Sequence, residues 1–176
     1  MTNMDMSKLK DPFQFYDEAY ALQHCMRYSM VPSIKQESVA EHSFFVALGV
    51  MLLSEKYNFD KGLAIQIALA HDLPEIYVDD INHHIKKMFP KVAEALKEAE
   101  ASAADGFPDS VKDYVTMYHD KSVESLIVHY ADAWQCLIKA NNEIKMGNHG
   151  YFDDVKKNSI IRLELLTQKL ETYVKR

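Results

Sequence analysis

His42, the pair His71-Asp72, and Asp132 are the residues whose types and placement can do chemistry in this chain. Imidazole nitrogens and carboxylate oxygens ligate divalent cations. Four of them around one ion leave coordination positions open for water and a substrate oxygen, which is a hydrolytic layout rather than a closed structural one. Asp132 has the strongest physical claim. It lies between Ala131 and Ala133, just after the run Leu126-Ile127-Val128. Aspartate is a poor mid-helix residue, and a charge on a buried face is costly unless paired or ligated. His71-Asp72 ends a nearly all-apolar segment, Leu63 to Ala70. A second His-Asp, His119-Asp120, leads into Lys121-Ser122 and reads as a solvated junction. On its own His42 reads as a core histidine; in combination with the other three it reads as a ligand.

Glu75 and Asp80 follow the His-Asp pair closely. Carboxylates beside a cation can orient or deprotonate water, or protonate a leaving oxygen. A solvated acidic loop would look the same in sequence. Arg27 and Lys86 are candidate phosphate clamps, because phosphate needs fixed cationic donors. Two basic residues among twenty carry little signal by spacing alone. His83 and His84 read either as extra ligands or as a pair on the pocket rim.

The elements that must position these groups are helices. The pattern predicts an all-α fold of about seven or eight helices, with only five glycines and five prolines as punctuation. The first helix runs from about Pro12 to Cys25. Ser38 and Glu41 form an S-x-x-E capping box that opens the second, which reaches about Tyr57. Val39, His42, Val46 and Gly49 share one of its faces. The third, about Asp60 to Asp72, is apolar on most sides, as a buried helix must be. Pro74 disfavours helix at Leu73 and so sets His71-Asp72 at that helix's end. A short helix follows Asp79-Asp80. Others span Pro90 to Gly106, Asp109 to Tyr118, Ser122 to Gly147 with Asp132 in its middle, and Tyr151 to the end.

The whole chain, 1–176, reads as one domain. It is 48% hydrophobic and 26% charged with a net charge of −6 and no basic stripe, which argues against binding a nucleic-acid polymer. A local positive pocket for a small anion is compatible with that charge. The stretch Met1 to Lys10 is polar and lacks the apolar core of a leader, and no apolar run is long enough to span a bilayer. Cys25 and Cys136 read as buried reduced thiols. These features point to a cytosolic protein that does not engage membranes.

With those residues in place, the chain resembles the HD-domain metal-dependent phosphohydrolases. It is most similar to their small branch of bacterial 5′-deoxynucleotidases and to the short phage dATP triphosphohydrolases. The resembling segments are Arg27-Tyr28, the E-S-V-A-E-H-S ending in His42-Ser43, H-D-L-P-E from His71 with the following Asp80, Lys97-x-x-Glu100, and Tyr130-Ala-Asp-Ala-Trp134. The resemblance implies a single HD-domain helical bundle holding one divalent metal ion (zinc, cobalt or manganese) on His42, His71, Asp72 and Asp132. It implies Glu75 as catalytic carboxylate with Asp80 beside it, and Arg27, Tyr28 and Lys86 on the substrate. The implied activity is hydrolysis of the bond between the α-phosphorus and O5′ of a deoxyribonucleotide. A 5′-deoxynucleotidase is the first reading; a dNTP triphosphohydrolase and a degenerate HD binding module are the alternatives. A homo-oligomer is implied as well. Two positions depart from the nucleotidases: Tyr28 stands where they carry tryptophan, and Ile81-Asn82-His83-His84-Ile85 replaces a proline-rich segment.

Overall fold

The structure, a computed structural model, describes residues 10–175. The N-terminal stretch through residue 9 and the side chains of His83 and His84 lie outside the described residues.

The fold is all-α: seven helices of eight residues or more and two short ones among the described residues. Helix α1 (Pro12–Ala19) is capped by Asp11, whose carboxylate accepts from the backbone of Phe13 and Gln14. It stops short of the expected end and tightens into a 3₁₀ turn, Tyr20–Gln23. Strands β1 (Met26–Arg27) and β2 (Glu37–Ser38), two residues each, then pair antiparallel with Arg27 opposite Glu37. Helix α2 (Val39–Leu53) opens with the Ser38/Glu41 capping box, which satisfies two otherwise orphaned backbone donors.

Helix α3 (Lys61–Ala70) is capped by Asp60 and ends at His71. The chain turns through 71–74 and forms α4 (Glu75–Val78), a four-residue helix the sequence did not announce. Then come α5 (His83–Met88), α6 (Pro90–Asp105) with proline at its first turn, α7 (Asp109–Met117), α8 (Val123–Lys145) and α9 (Tyr151–Leu170). Among the described residues, no helix is long and apolar enough to cross a membrane.

Helix α8 is the central post, packed by α2, α3 and α9. Their shared core includes Val46, Val50, Ile67, Ile127 and Leu170, each stabilising the fold by roughly 1.5–3 kcal/mol through burial. A second core joins Phe15, Leu73, Phe107 and Val115. Gly49 sets the approach of α2 to α8, since a β-carbon there would lie 3.2 Å from the Ala131 Cβ. That close crossing brings the His42 turn of α2 against the Asp132 turn of α8.

Candidate metal centre

Three elements deliver the four ligand candidates. His42 sits one turn into α2, His71 and Asp72 at the turn ending α3, and Asp132 mid-way along α8. One ligand atom each of His42, His71 and Asp72 fall within 4.8 Å of one another. His42 Nε2 is 3.6 Å from Asp72 Oδ2 and 3.5 Å from Asp132 Oδ1. His71 Nε2 is 3.1 Å from Asp72 Oδ2. The two histidines and Asp132 are buried.

The hydrogen bonds fix what those atoms are. His42 Nδ1 lies 2.9 Å from Gln135 Oε1, and the Gln135 amide nitrogen donates to Glu37 at 2.8 Å. His71 Nδ1 lies 2.7 Å from the Ala68 carbonyl. Both Nδ1 atoms face oxygen acceptors and must carry the proton. In the neutral rings each Nε2 is then a bare lone pair, and both are buried without a hydrogen-bond partner. Burial, with Arg27 nearby, pushes His42 down to about 3, so it stays neutral at pH 7. A neutral imidazole lone pair facing two carboxylates is repulsive unless a cation sits between them. The donor set therefore fits a divalent ion, with oxygen acceptors behind each histidine holding its tautomer.

Asp132 is divided between two tasks. Its Oδ2 receives the Arg162 guanidinium at 2.8 Å and the Tyr118 hydroxyl at 3.2 Å, leaving Oδ1 toward His42. Burial pushes the carboxyl upward, but Arg162 and His42 outweigh it and hold Asp132 well below the usual carboxylate range. Asp72 is likewise held low against burial by His71 beside it. Burial also works on His71 itself, where Asp72 outweighs it and raises the imidazole.

Glu75 and Asp80 line the same site. Glu75 Oε2 is buried without a partner. Burial, then repulsion from Asp72 and Asp80, pushes Glu75 up to about 10. Asp80 is raised by burial and Asp72, against the pull of Arg27. Arg27 is pinned among acceptors: Nε 3.5 Å from Glu37, Nη1 3.6 Å from Asp72, Nη2 3.5 Å from the Cys136 thiol. Tyr28 holds a left-handed backbone, φ 59°, which is costly for a bulky residue. Its ring packs on Phe152 at 5.4 Å and on Tyr151 at 6.2 Å.

Two cavities meet at the cluster. One, about 470 Å³, runs past Arg27 and Tyr28 to Tyr151 and Asn158. The other, about 660 Å³, opens toward Lys97 and Lys112. His71, Asp72, Glu75 and Lys86 border both.

A family profile described as 5′-deoxynucleotidase YfbR-like matches residues 14–175. The chain belongs to that family. It is 25% identical over 174 residues to the 5′-deoxynucleotidase of Vibrio cholerae serotype O1, covering 91% of this chain and 90% of that one. A dATP triphosphohydrolase of Salmonella phage PMBT28 is 33% identical over 99 residues, 51% of this chain and 50% of its own. In structure it is similar to an HD phosphohydrolase of cyanophage S-2L, solved with dA and one catalytic Zn²⁺ ion. There the TM-score is 0.65 at 20% identity, over 91% of this chain and 86% of that one.

In this YfbR-like chain the structure brings all nine sequence candidates to one place. It also adds residues the sequence did not announce. Arg162 and Gln135 contact the ligand candidates Asp132 and His42, and Glu37, Tyr118 and His129 stand behind them. A signal existed for α9: Tyr151, Val155, Asn158, Ser159 and Arg162 recur at helical spacing and all line the first cavity. Gln135 falls one turn beyond Asp132. His119 is exposed and Asp120 caps Ser122, as the junction reading has it. The cysteines are free but only half-buried, Cys25 donating to Asp79 at 3.0 Å. Cys25 also packs against the second apolar core.

Proposed function

We propose that the chain is a single HD domain that hydrolyses the 5′-phosphate ester of a free deoxyribonucleotide of the cytosolic pool, between the α-phosphorus and O5′. The observation that carries this is the pair of buried Nε2 atoms of His42 and His71, without hydrogen-bond partners and gathered beside the carboxylates of Asp72 and Asp132. Family membership supplies the substrate class, since the relatives bear 5′-deoxynucleotidase and dATP triphosphohydrolase names. The cyanophage enzyme binds dA with a catalytic zinc ion.

His42, His71, Asp72 and Asp132 would hold one divalent ion: zinc, cobalt or manganese. When bound, that ion supplies a Lewis acid for the phosphoryl oxygen and a lowered pKa for water. Glu75 keeps its proton at Oε2 because burial and two neighbouring carboxylates disfavour the charge. From there it donates to the departing O5′, with Asp80 accepting a proton in turn. Arg27, held by Glu37 and Asp72, presents a fixed guanidinium to the phosphate. Tyr28 and Tyr151 flank the nucleoside side of the cavity.

A 5′-deoxynucleotidase is the first reading. The triphosphohydrolase is kept because a second cavity, bordered by Lys86, Lys97 and Lys112, adjoins the cluster and has room for two more phosphates. Glu98, Glu100 and Asp105 border it as well, and Asp105 already holds Lys112 at 2.7 Å, which counts against that cavity as a phosphate site. The deciding experiment incubates the metal-loaded protein with deoxynucleoside mono- and triphosphates. Release of inorganic phosphate from monophosphates is expected. Release of intact triphosphate establishes the second reading, and no hydrolysis of either with metal bound overturns both.

A further inference from the structure

Glu143, near the C-terminal end of α8, is 0% exposed, and its carboxylate takes five donors. The backbone amides of Ile34 and Lys35 reach it at 2.8 and 3.0 Å, and the Ser33 hydroxyl at 3.3 Å. Lys139 and the Asn148 side-chain amide each reach it at 2.7 Å. Asn148 also donates to the Pro32 carbonyl at 2.8 Å, and Lys139 to the Lys35 carbonyl. One side chain therefore ties the loop between β1 and β2 to the turn between α8 and α9. Burial pushes the Glu143 carboxyl up, but Lys139, Asn148 and the two backbone amides hold it down at about 2, so it is charged at neutral pH. Helical rise sets Glu143 roughly 16 Å along α8 from Asp132, outside both cavities that meet at the metal cluster.

The loop carries substrate groups. Arg27 precedes it and Tyr28 opens it, and both line the first cavity. Every residue from 29 to 36 is exposed or half-exposed, so apolar burial does not hold the loop in place. Its flanking strands are two residues each, and so short a ribbon is marginal alone. Tyr28 nevertheless keeps a left-handed backbone, φ 59°, and a bulky residue stays there only where its surroundings over-determine it. The same carboxylate fixes the opposite wall. Asn148 lies just before Tyr151 and Phe152, whose rings meet Tyr28 at 6.2 and 5.4 Å. The Lys139 ammonium lies over the Phe152 ring at 5.7 Å.

We propose that Glu143 is a positioning residue for the nucleotide: from outside the cavity it sets Arg27 and Tyr28 against Tyr151 and Phe152. This rests on the deoxynucleotide reading of that cavity. Because Glu143 stands away from the ligand candidates, loosening its tie should act on substrate binding and leave the metal in place.

Glu143→Gln leaves the Lys139 ammonium buried beside a neutral amide, a change that threatens the fold. Asn148→Ala opens the tie and keeps that ion pair whole. In the zinc-loaded full chain, Asn148→Ala should lower kcat/KM for 2′-deoxyadenosine 5′-monophosphate by about 10–10²-fold, mostly through KM. Zinc affinity should stay at the wild-type value. Val50→Ala, a cavity in the core of α2, should lower Tm at least as far and leave KM alone. Calorimetry with deoxyadenosine, which has no phosphate to lose, reads the nucleoside wall without turnover and should show Asn148→Ala binding more weakly. A wild-type KM in Asn148→Ala overturns the proposal, as does an equal rise of KM in Val50→Ala. A wild type that binds deoxyadenosine without cleaving the monophosphate strikes the monophosphatase reading alone, and the calorimetric comparison then decides the role of Glu143. A wild type that neither binds nor cleaves overturns both.

Discussion

Arg162 on α9 and Asp132 on α8 stand 2.8 Å apart, guanidinium to Oδ2, and this contact decides which carboxylate oxygen is left for a cation. Tyr118 donates to the same Oδ2, and Arg162 is steadied in turn by His129 at 3.1 Å. A fork of fixed geometry holds the carboxylate rotamer as an ammonium cannot. Arg162→Met should therefore weaken zinc affinity by about 10–100-fold, the usual cost of losing a partner behind a metal ligand. Arg162→Lys should recover only part of it. Titration with a chromophoric zinc chelator reads both; equal affinity in all three proteins would return Arg162 to a purely structural role.

Asp132→Asn keeps the volume and an oxygen for Arg162 but removes the negative charge. The variant should stay helical and come through dialysis without zinc, whereas the wild type retains it. Elemental analysis of the dialysed protein checks this. Retained zinc with full turnover would sink the ligand assignment.

Glu75 gives a pH dependence with a definite sign. Its folded pKa, about 10, lies above its ordinary value of 4.5. The unfolded chain therefore releases this proton first. The stability tied to protonated Glu75 is present below about pH 4.5 and is lost progressively as pH rises toward 10. Glu75→Gln mimics the protonated form at every pH. The metal-free variant should therefore outlast metal-free wild type by a margin in Tm that widens from pH 5 to pH 9. The same substitution should cut turnover by about 10²–10⁴-fold while zinc stays bound. Parallel Tm curves would mean that Glu75 is ionised in the folded protein.

Tyr28 should govern the sugar. Its ring packs on Tyr151 and Phe152, and on the proposed function it would reject a 2′-hydroxyl by crowding. Tyr28→Ala should narrow the ratio of kcat/KM between deoxyribo- and ribonucleotides, mainly by admitting the ribonucleotide. A wild-type enzyme already indifferent to the sugar would remove Tyr28 from this role.

Lys86 borders both cavities, so its loss distinguishes the two substrates. In a monophosphatase, Lys86→Ala should lower turnover of every monophosphate. In a triphosphohydrolase it should raise KM for the triphosphate more than it changes cleavage of the monophosphate. Steady-state kinetics on paired mono- and triphosphates separate these outcomes.

The sequence by itself determined the helices and the chemistry they carry. Ser38-x-x-Glu41 placed the start of α2, Pro90 the start of α6, and the apolar run before His71 made that helix a buried one. Each is a local signal, readable because helix caps and helical periodicity act within a few residues. Asp132 stood out for the same reason, as a charge in an apolar helix. The four-residue helix at Glu75 escaped because one turn has no periodicity to read. Tertiary structure alone decided the pairings between distant segments. Arg162 meets Asp132 across 30 positions and Gln135 meets His42 across 93, with no motif linking either pair. Gly49 against Ala131 fixed how close α2 comes to α8. Which Asp132 oxygen is free, and which histidine nitrogens are bare, follow from that packing, because hydrogen-bond partners are set by distance in space rather than by spacing along the chain.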